Sequence, residues 1–222
     1  MERFFDEELE ELKAKLLYMA EIAEKMIELA IRGLIERNKD LAPGVFKAEK
    51  EINMLHIEVD ELCLRLIALR QPTAKDLRFI TAAMKINSEL ERIGDQSVNI
   101  SENTEVYLNY PEVKPLIDTP RMAEIARQMV KDSLSSFVDK DVELARSVLR
   151  RDDEVDGLRD QIFRELLTYM MSDLTKIQPA LALILIARNI ERIADHATNI
   201  SEDVVFMVLG KDIRHHIEEV RE

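Results

Sequence analysis

The sequence predicts an all-α protein built from two tandem, internally duplicated three-helix bundles with antiparallel, up-down packing. The chain has 5 Gly and 6 Pro in 222 residues, too few for a protein rich in turns and short strands. Apolar residues recur over long stretches at three- and four-residue spacings, the period of an amphipathic helix. A polar segment also recurs one hundred positions later, which indicates two related halves.

The duplicated segment is polar rather than apolar. Residues 87–102 read NSELERIGDQSVNISE, and residues 187–202 read ARNIERIADHATNISE. The earlier block 49–53 aligns with 152–156 at an offset of 103, whereas the polar segments align at an offset of 100. The hairpin between the two blocks is therefore slightly shorter in the second half. Many hydrophobic residues can fill a core, so packing alone does not require the acids and amides to be repeated. The polar face is therefore where function is expected.

Three helices are predicted in the first half. The first covers about 7–37, where leucine, methionine and alanine keep a helical spacing. The second covers about 45–69 and ends before a Gln-Pro pair, because the residue preceding proline disfavours helix. The third runs from 73 to about 109. Thr73 and Asp76 form a T-x-x-D signal at its start that resembles a capping box.

The second half repeats this order after a proline-rich linker. Helices are predicted at about 121–138, 141–171 and 177–209, followed by a short helical tail after Gly210. Long helices joined by short connections pack as antiparallel bundles, so each half should form one bundle. The predicted division of the chain is a first bundle at 1–110, the linker at 111–120 and a second bundle at 121–222.

Composition narrows the classes of function. The net charge of −13 argues against a nucleic-acid partner, because proteins contact phosphates through Lys and Arg. It is compatible with a cation-binding surface, with a basic protein partner, or simply with solubility. Cys63 is the single cysteine, so no intrachain disulfide or thiolate zinc cluster can form, and its apolar surroundings predict a core position. No signal peptide or membrane-spanning run is present, so we expect a cytoplasmic protein.

Carboxylates and amides share one stripe on each helix that carries the repeated motif. At about 100° per residue, Glu91, Asp95, Asn99 and Glu102 fall within one narrow arc, away from the apolar face. The preceding helix of each half carries a matching i, i+4 pair. The candidate metal ligands are Glu49, Asn53, Glu91, Asp95, Asp152, Asp156, Glu191 and Asp195. Possible auxiliary ligands are His56, Asn99, Glu102, Asn199 and Glu202.

This pattern favours a cation site. Carboxylates four residues apart on a helix repel each other, and pairing two such helices gathers up to four oxygen ligands unless a cation neutralises them. Divalent or trivalent ions accept such ligands, so iron, Mn, Mg, Zn and Ca all remain open. The alternative is that Arg92, Arg188, Arg192 and Lys85 hold the acids in solvated salt bridges. His196 lies off the stripe and is expected beside the site or on the surface.

Sequence signatures of common enzymes are absent. The chain has no glycine-rich phosphate loop, no G-x-S-x-G and no H-E-x-x-H. The E-x-x-H spacing of ferritin-like di-iron bundles is also missing. These absences favour a protein that works by binding.

Three segments are characteristic together: RQPTAKDLR at 70–78, ERIGDQSVNISE and ERIADHATNISE. In these segments the chain resembles the PhoU family of bacterial phosphate-signalling regulators, and the resemblance covers essentially the whole chain. It implies two tandem three-helix bundles whose E(D)-x-x-x-D motifs bind metal, in some members as multinuclear iron clusters. The implied motif pairs are Glu49/Asn53 with Glu91/Asp95, and Asp152/Asp156 with Glu191/Asp195. Asn53 departs from the pattern, so the first site should bind more weakly or hold fewer ions.

The resemblance also implies a role. Members of the family are non-enzymatic negative regulators of the phosphate-starvation (Pho) response and of phosphate uptake. They couple the ATPase subunit of the phosphate ABC transporter to a sensor histidine kinase, so these two proteins are the expected partners. A homodimer is also possible. Two alternatives stay open: a redox enzyme with carboxylate-bridged iron, and a metal-free helical, chaperone-like adaptor.

Overall fold

A computed structural model describes residues 2–213, with side chains from residue 5 onwards, and confirms the all-α fold. Helices α1 to α3 belong to the first repeat and helices α4 to α6 to the second. Short 3-10 turns precede α2 and α6. The helices are α1 (Glu2–Ile35), α2 (Ala42–Arg70), α3 (Ala74–Tyr107), α4 (Asp118–Asp139), α5 (Val142–Ser172) and α6 (Ile177–Leu209).

Two helix starts differ from the sequence prediction. Helix α1 begins at Glu2 rather than near residue 7, and α4 begins at Asp118, inside the stretch predicted as linker. Pro120 lies in the first turn of α4, where a helix has no intrahelical partner for its N–H groups, so this proline does not interrupt the helix. The boundaries predicted for the domains stay predictions.

The helix ends are set by local chemistry. Thr73 is the N-cap of α3, as the start signal predicted, but the hydrogen bonds of a capping box do not form. The Thr73 hydroxyl donates to Asp76 Oδ2 at 2.6 Å instead of accepting from the first turn of α3. Asp141 does cap α5, since its Oδ1 accepts from the Leu144 N–H at 3.0 Å. Gly210 ends α6 with φ of 68°, a left-handed conformation that suits glycine. Residues 210–213 are not helical, and the predicted helical tail otherwise lies outside the described residues.

One continuous hydrophobic core joins the two repeats. Its members come from all six helices, and the most extensive contact between helices is the one between α3 and α6, across the repeats. Cys63 is fully buried in this core, as its apolar surroundings predicted, and burial raises its pKa to about 12. None of the described helices is long and apolar enough to cross a membrane.

Two polar contacts show how α3 is paired with α6. Lys85 Nζ donates to Asp203 Oδ1 at 2.7 Å, and His196 Nδ1 lies 2.6 Å from Glu89 Oε2. Residues earlier in α3 therefore contact residues later in α6, so the two helices run antiparallel. This arrangement brings the repeated motif segments of both helices side by side near the middle of their contact.

Candidate metal centres in the two repeats

The second repeat gathers four carboxylates between α5 and α6. Asp152 and Asp156 come from α5, and Glu191 and Asp195 come from α6. Burial, followed by the negative charges of the other three and of Asp153, raises the pKa of Asp152 from its ordinary 3.8 to about 6. Such mutual influence requires that the side chains lie close together, as the helical stripe predicted.

The pKa values of both α6 carboxylates are raised by burial and by neighbouring negative charges. Burial and then the charge of Asp195 raise the pKa of Glu191. Burial and then the charge of Asp156 raise the pKa of Asp195. Each shift disfavours the ionised form, so the four groups together form a concentration of negative charge that a cation would relieve.

Arg159 partly compensates this charge. Its Nη1 donates to Glu191 Oε1 at 2.8 Å, and its Nη2 lies 3.8 Å from Asp156 Oδ1. The same guanidinium also bonds Asp160 at 2.9 Å. One arginine therefore contacts three carboxylates. The pKa values of Asp152, Glu191 and Asp195 nevertheless remain raised. A salt bridge therefore neutralises part of this cluster, but through Arg159 rather than the four basic residues considered from the sequence. Of those, Arg92 pairs with Glu89 and Lys85 with Asp203, outside the candidate ligands.

The first repeat forms a smaller cluster between α2 and α3. Burial and the charge of Asp95 raise the pKa of Glu91, against the opposing effects of His56 and Arg92. Burial and the charge of Glu49 raise the pKa of Asp95. The amide of Asn53 replaces the fourth carboxylate, and its Nδ2 donates to Glu49 Oε1 at 3.1 Å.

The auxiliary residues are placed in different ways. His56 influences Glu91 and lies 3.4 Å from Asp60, so it stands beside the first cluster. The Asn199 amide donates to Glu89 Oε2 at 3.1 Å and is thus turned towards α3. Asn99 and Glu202 are half-buried and Glu102 is exposed. Their roles as ligands stay predictions.

Sequence reasoning missed Glu89, which lies between the two clusters. Burial opposes its ionisation, but the hydrogen bonds with His196 and Asn199 and the nearby charges outweigh burial and lower the pKa of Glu89. His196 also influences Asp95 and Asp195, so this pair lies next to both sites. A signal was present in the alignment of the repeats, because Glu89 and His196 correspond to a neutral Asn and Gln in the opposite repeat.

Neither cluster is a closed coordination shell. Within residues 2–213, no three His, Cys, Asp or Glu side chains already converge on a common metal-sized point. The carboxylates are grouped by the helices but directed in part to Arg159 and Asn53. Binding an ion would therefore require rotation of side chains on a fixed backbone.

The raised pKa of Asp152 predicts a dependence of stability on pH. Because the folded state holds this proton more tightly than the unfolded chain, Asp152 contributes stability below about pH 3.8 that is lost as the pH rises through about 6. Asp152→Asn should therefore stabilise the metal-free protein at pH 7 by about 1 kcal/mol, after allowance for solvent screening. Urea denaturation at pH 4 and pH 7 measures this.

The comparison between the two pH values is the control for that substitution. At pH 4 the gain from Asp152→Asn should shrink, because the wild-type carboxyl group is then largely protonated. An equal effect at both pH values would contradict the assigned electrostatic cause.

Comparison with known proteins places the chain in a family. A family model, the PhoU domain, matches residues 16–104 and 119–204, one match in each repeat. This chain belongs to the PhoU family. Each matched range contains one of the two carboxylate clusters.

Relatives match over nearly the whole chain. The PhoU homologue of the phosphate-specific transport system in Zymomonas mobilis is 41% identical over 94% of this chain and 88% of its own length. The corresponding accessory protein of Aquifex aeolicus is 41% identical over 96% of both chains. The crystal structure of PhoU from Pseudomonas aeruginosa superposes with a TM-score of 0.90 and 36% identity, covering 93% of this chain and 100% of that one.

A more distant structure keeps the same fold. The phosphate transport system regulatory protein PhoU from Streptococcus pneumoniae has a TM-score of 0.85 at 27% identity, over 94% of this chain and 98% of that one. The arrangement of two three-helix repeats is therefore shared with solved PhoU structures.

Proposed function

We propose that the chain is a non-enzymatic, cytoplasmic accessory protein of a phosphate-specific transport system and a negative regulator of the phosphate-starvation response. The main support is membership of the PhoU family across both repeats, together with relatives named for phosphate-specific transport. The partners proposed are the transporter's ATPase subunit and a sensor histidine kinase, which the chain would couple. A homodimer stays a prediction.

The proposal includes a metal ion at each carboxylate cluster. The second cluster fits a cation well, because Asp152, Asp156, Glu191 and Asp195 are crowded and only partly neutralised. Carboxylate oxygens are ligands for hard cations and for iron, so Fe, Mn, Mg, Zn and Ca are the candidates. A bound ion would neutralise the cluster and link α5 to α6. Arg159 would then be released from Glu191.

The first cluster fits a cation less well. It offers Glu49, Glu91 and Asp95 but an amide at Asn53, whose oxygen can bind a metal without contributing charge. Fewer negative charges lower the affinity for a cation. We therefore propose that the second repeat holds metal more tightly than the first.

Deletion of the gene tests the regulatory role. Phosphatase expression in phosphate-rich medium should be high in the deletion strain and low again when the native chain is supplied. A variant with Glu91, Asp95, Glu191 and Asp195 changed to Ala should fail to restore repression. Glu154→Ala is the matched control, because Glu154 is an exposed acid of α5 that pairs with Arg121 at the surface.

The outcomes separate the alternatives. Normal repression in the deletion strain would count against a regulatory role. Full repression by the folded four-site variant would favour the metal-free adaptor. Consumption of oxygen or peroxide by the iron-loaded protein would instead favour the redox enzyme.

A further inference from the structure

The two carboxylate clusters differ at one equivalent position. His56 on α2 corresponds to Arg159 on α5 at the offset of 103 that aligns these helices. Arg159 Nη1 bonds Glu191 Oε1 at 2.8 Å, and His56 opposes the rise in the pKa of the equivalent Glu91, so both side chains lie beside the same carboxylate of their repeat. Arginine has no lone pair to offer a metal ion, whereas a neutral imidazole has one. At this position only the first repeat can supply a nitrogen ligand.

The His56 ring is held in the way that metal-binding histidines are held. Its Nε2 lies 3.4 Å from Asp60 Oδ2. Its Nδ1 is buried and has no hydrogen-bond partner among the described residues. A histidine that binds a metal through one ring nitrogen commonly presents the other to a carboxylate, which fixes the orientation of the ring. A buried polar atom without a partner also costs free energy, and an ion bound at Nδ1 would remove that cost.

A fully buried amide in turn holds the carboxylate of Asp60. Asn87 on α3 is 0% exposed, and its Nδ2 donates to Asp60 Oδ1 at 2.9 Å and to the backbone carbonyl of His56 at 2.9 Å. The same amide therefore fixes both the side chain that contacts the ring and the turn of α2 that carries it. A chain of contacts thus runs from Asn87 through Asp60 to His56.

The second repeat lacks this chain, although it keeps the carboxylates at the positions of Glu91 and Asp95. The counterparts of Asp60 and Asn87 are Phe163 and Ala187. Helices α5 and α6 pack against each other without these polar groups, so the fold of a repeat does not require them. A polar chain that is present only where the histidine is present indicates that it serves the histidine.

We propose that His56 is a nitrogen ligand of the first cluster, which therefore selects a transition-metal ion such as Zn²⁺, whereas the all-oxygen second cluster favours Mn²⁺ or Mg²⁺. Imidazole suits zinc, and carboxylate oxygens suit magnesium and manganese. His196 does not supply the equivalent nitrogen to the second cluster, because its Nδ1 lies 2.6 Å from Glu89 of α3. The inference rests on the metal sites of the proposed function and adds a difference in selectivity between them.

Two variants of the full chain isolate the clusters. Glu191→Ala with Asp195→Ala leaves only the first cluster, and Glu91→Ala with Asp95→Ala leaves only the second. Isothermal titration calorimetry of each protein with Zn²⁺ and with Mn²⁺ gives the ratio of the two affinities. Because Zn²⁺ generally binds more tightly than Mn²⁺ at any such site, the comparison is made between the clusters. The preference for Zn²⁺ should be roughly tenfold greater, or more, at the first cluster.

Substitutions at the distinguishing position identify the ligand. In the protein that keeps the first cluster, His56→Gln should lower the affinity for Zn²⁺ by roughly tenfold or more and change the affinity for Mn²⁺ little. In the protein that keeps the second cluster, Arg159→His with Phe163→Asp installs the histidine and its carboxylate and should raise the preference for Zn²⁺. Arg159→Gln with Phe163→Asp is the matched control, because it removes the same positive charge without adding a nitrogen ligand. Circular dichroism verifies that each variant is folded, and the Arg159 variants decide the test if His56→Gln does not fold.

Three results would overturn the proposal. These are an equal preference for Zn²⁺ at the two clusters, equal losses of Zn²⁺ and Mn²⁺ affinity in His56→Gln, or equal effects of the two substitutions of Arg159. Binding of both ions with one common selectivity would refute this inference alone and leave the proposed metal sites in place. If neither ion binds to either protein, the proposed metal sites fail as well.

Discussion

Adding Mn²⁺ to the metal-free protein should raise the free energy of unfolding by about 2.7 kcal/mol when the free ion is at a hundred times its dissociation constant. For a chain of this size, that gain corresponds to a rise of about 5–10 °C in the unfolding midpoint. The physical reason is that the folded backbone holds Asp152, Asp156, Glu191 and Asp195 together, whereas the unfolded chain does not. Thermal denaturation at pH 7 with and without the ion measures the effect.

Variants of each cluster show which carboxylates are responsible for the stabilisation by the ion. Asp152→Asn combined with Asp195→Asn should remove most of it, while Glu154→Ala should keep it. Changing Asp95 to Asn in the first repeat should remove less of the stabilisation by the ion, because that cluster already contains one amide. If the ion raises the midpoint equally in all these variants, the clusters are not its binding sites.

Truncating a core residue in either repeat should destabilise the whole protein. Ile93→Ala in α3 and Ile193→Ala in α6 remove fully buried side chains at equivalent positions, and each should lower the free energy of unfolding by about 2–5 kcal/mol. Because one core joins the repeats, unfolding should remain a single transition in both variants. Urea denaturation followed by circular dichroism measures this.

An exposed position provides the control for core truncation. Ile117 is 73% exposed, so Ile117→Ala should change the free energy of unfolding by less than about 0.5 kcal/mol. Two separate transitions, of which each core variant shifts only one, would show that the repeats unfold independently. That outcome would contradict the shared core.

Helix positions were largely predictable because apolar spacing and duplication agree along the chain. Helix α6 covers Ile177–Leu209, the same range that the sequence predicts. Helix α4 was misjudged because Pro120 was assigned to the linker, although proline is tolerated in a first helical turn. The spacing of Thr73 and Asp76 predicts the start of α3 correctly, but it does not determine which hydrogen bond the Thr73 hydroxyl makes.

The carboxylate clusters were predictable only in part. A helical wheel shows that Glu191 and Asp195 share a face, but it contains no information about the neighbouring helix. It therefore could not reveal that Arg159 bonds Glu191, or that Asn199 turns to Glu89. Those contacts depend on how α3, α5 and α6 are rotated against each other, which the packing of the core determines.

Elemental analysis of the protein, purified without a metal-affinity tag, tests the central claim most directly. It should be run beside a variant with Glu91, Asp95, Glu191 and Asp195 changed to Ala. We expect metal in the native protein and its loss from a variant that still folds. A native protein that contains no metal, and that takes up no iron, manganese or zinc, would contradict it and leave the carboxylates as partly salt-bridged surface groups.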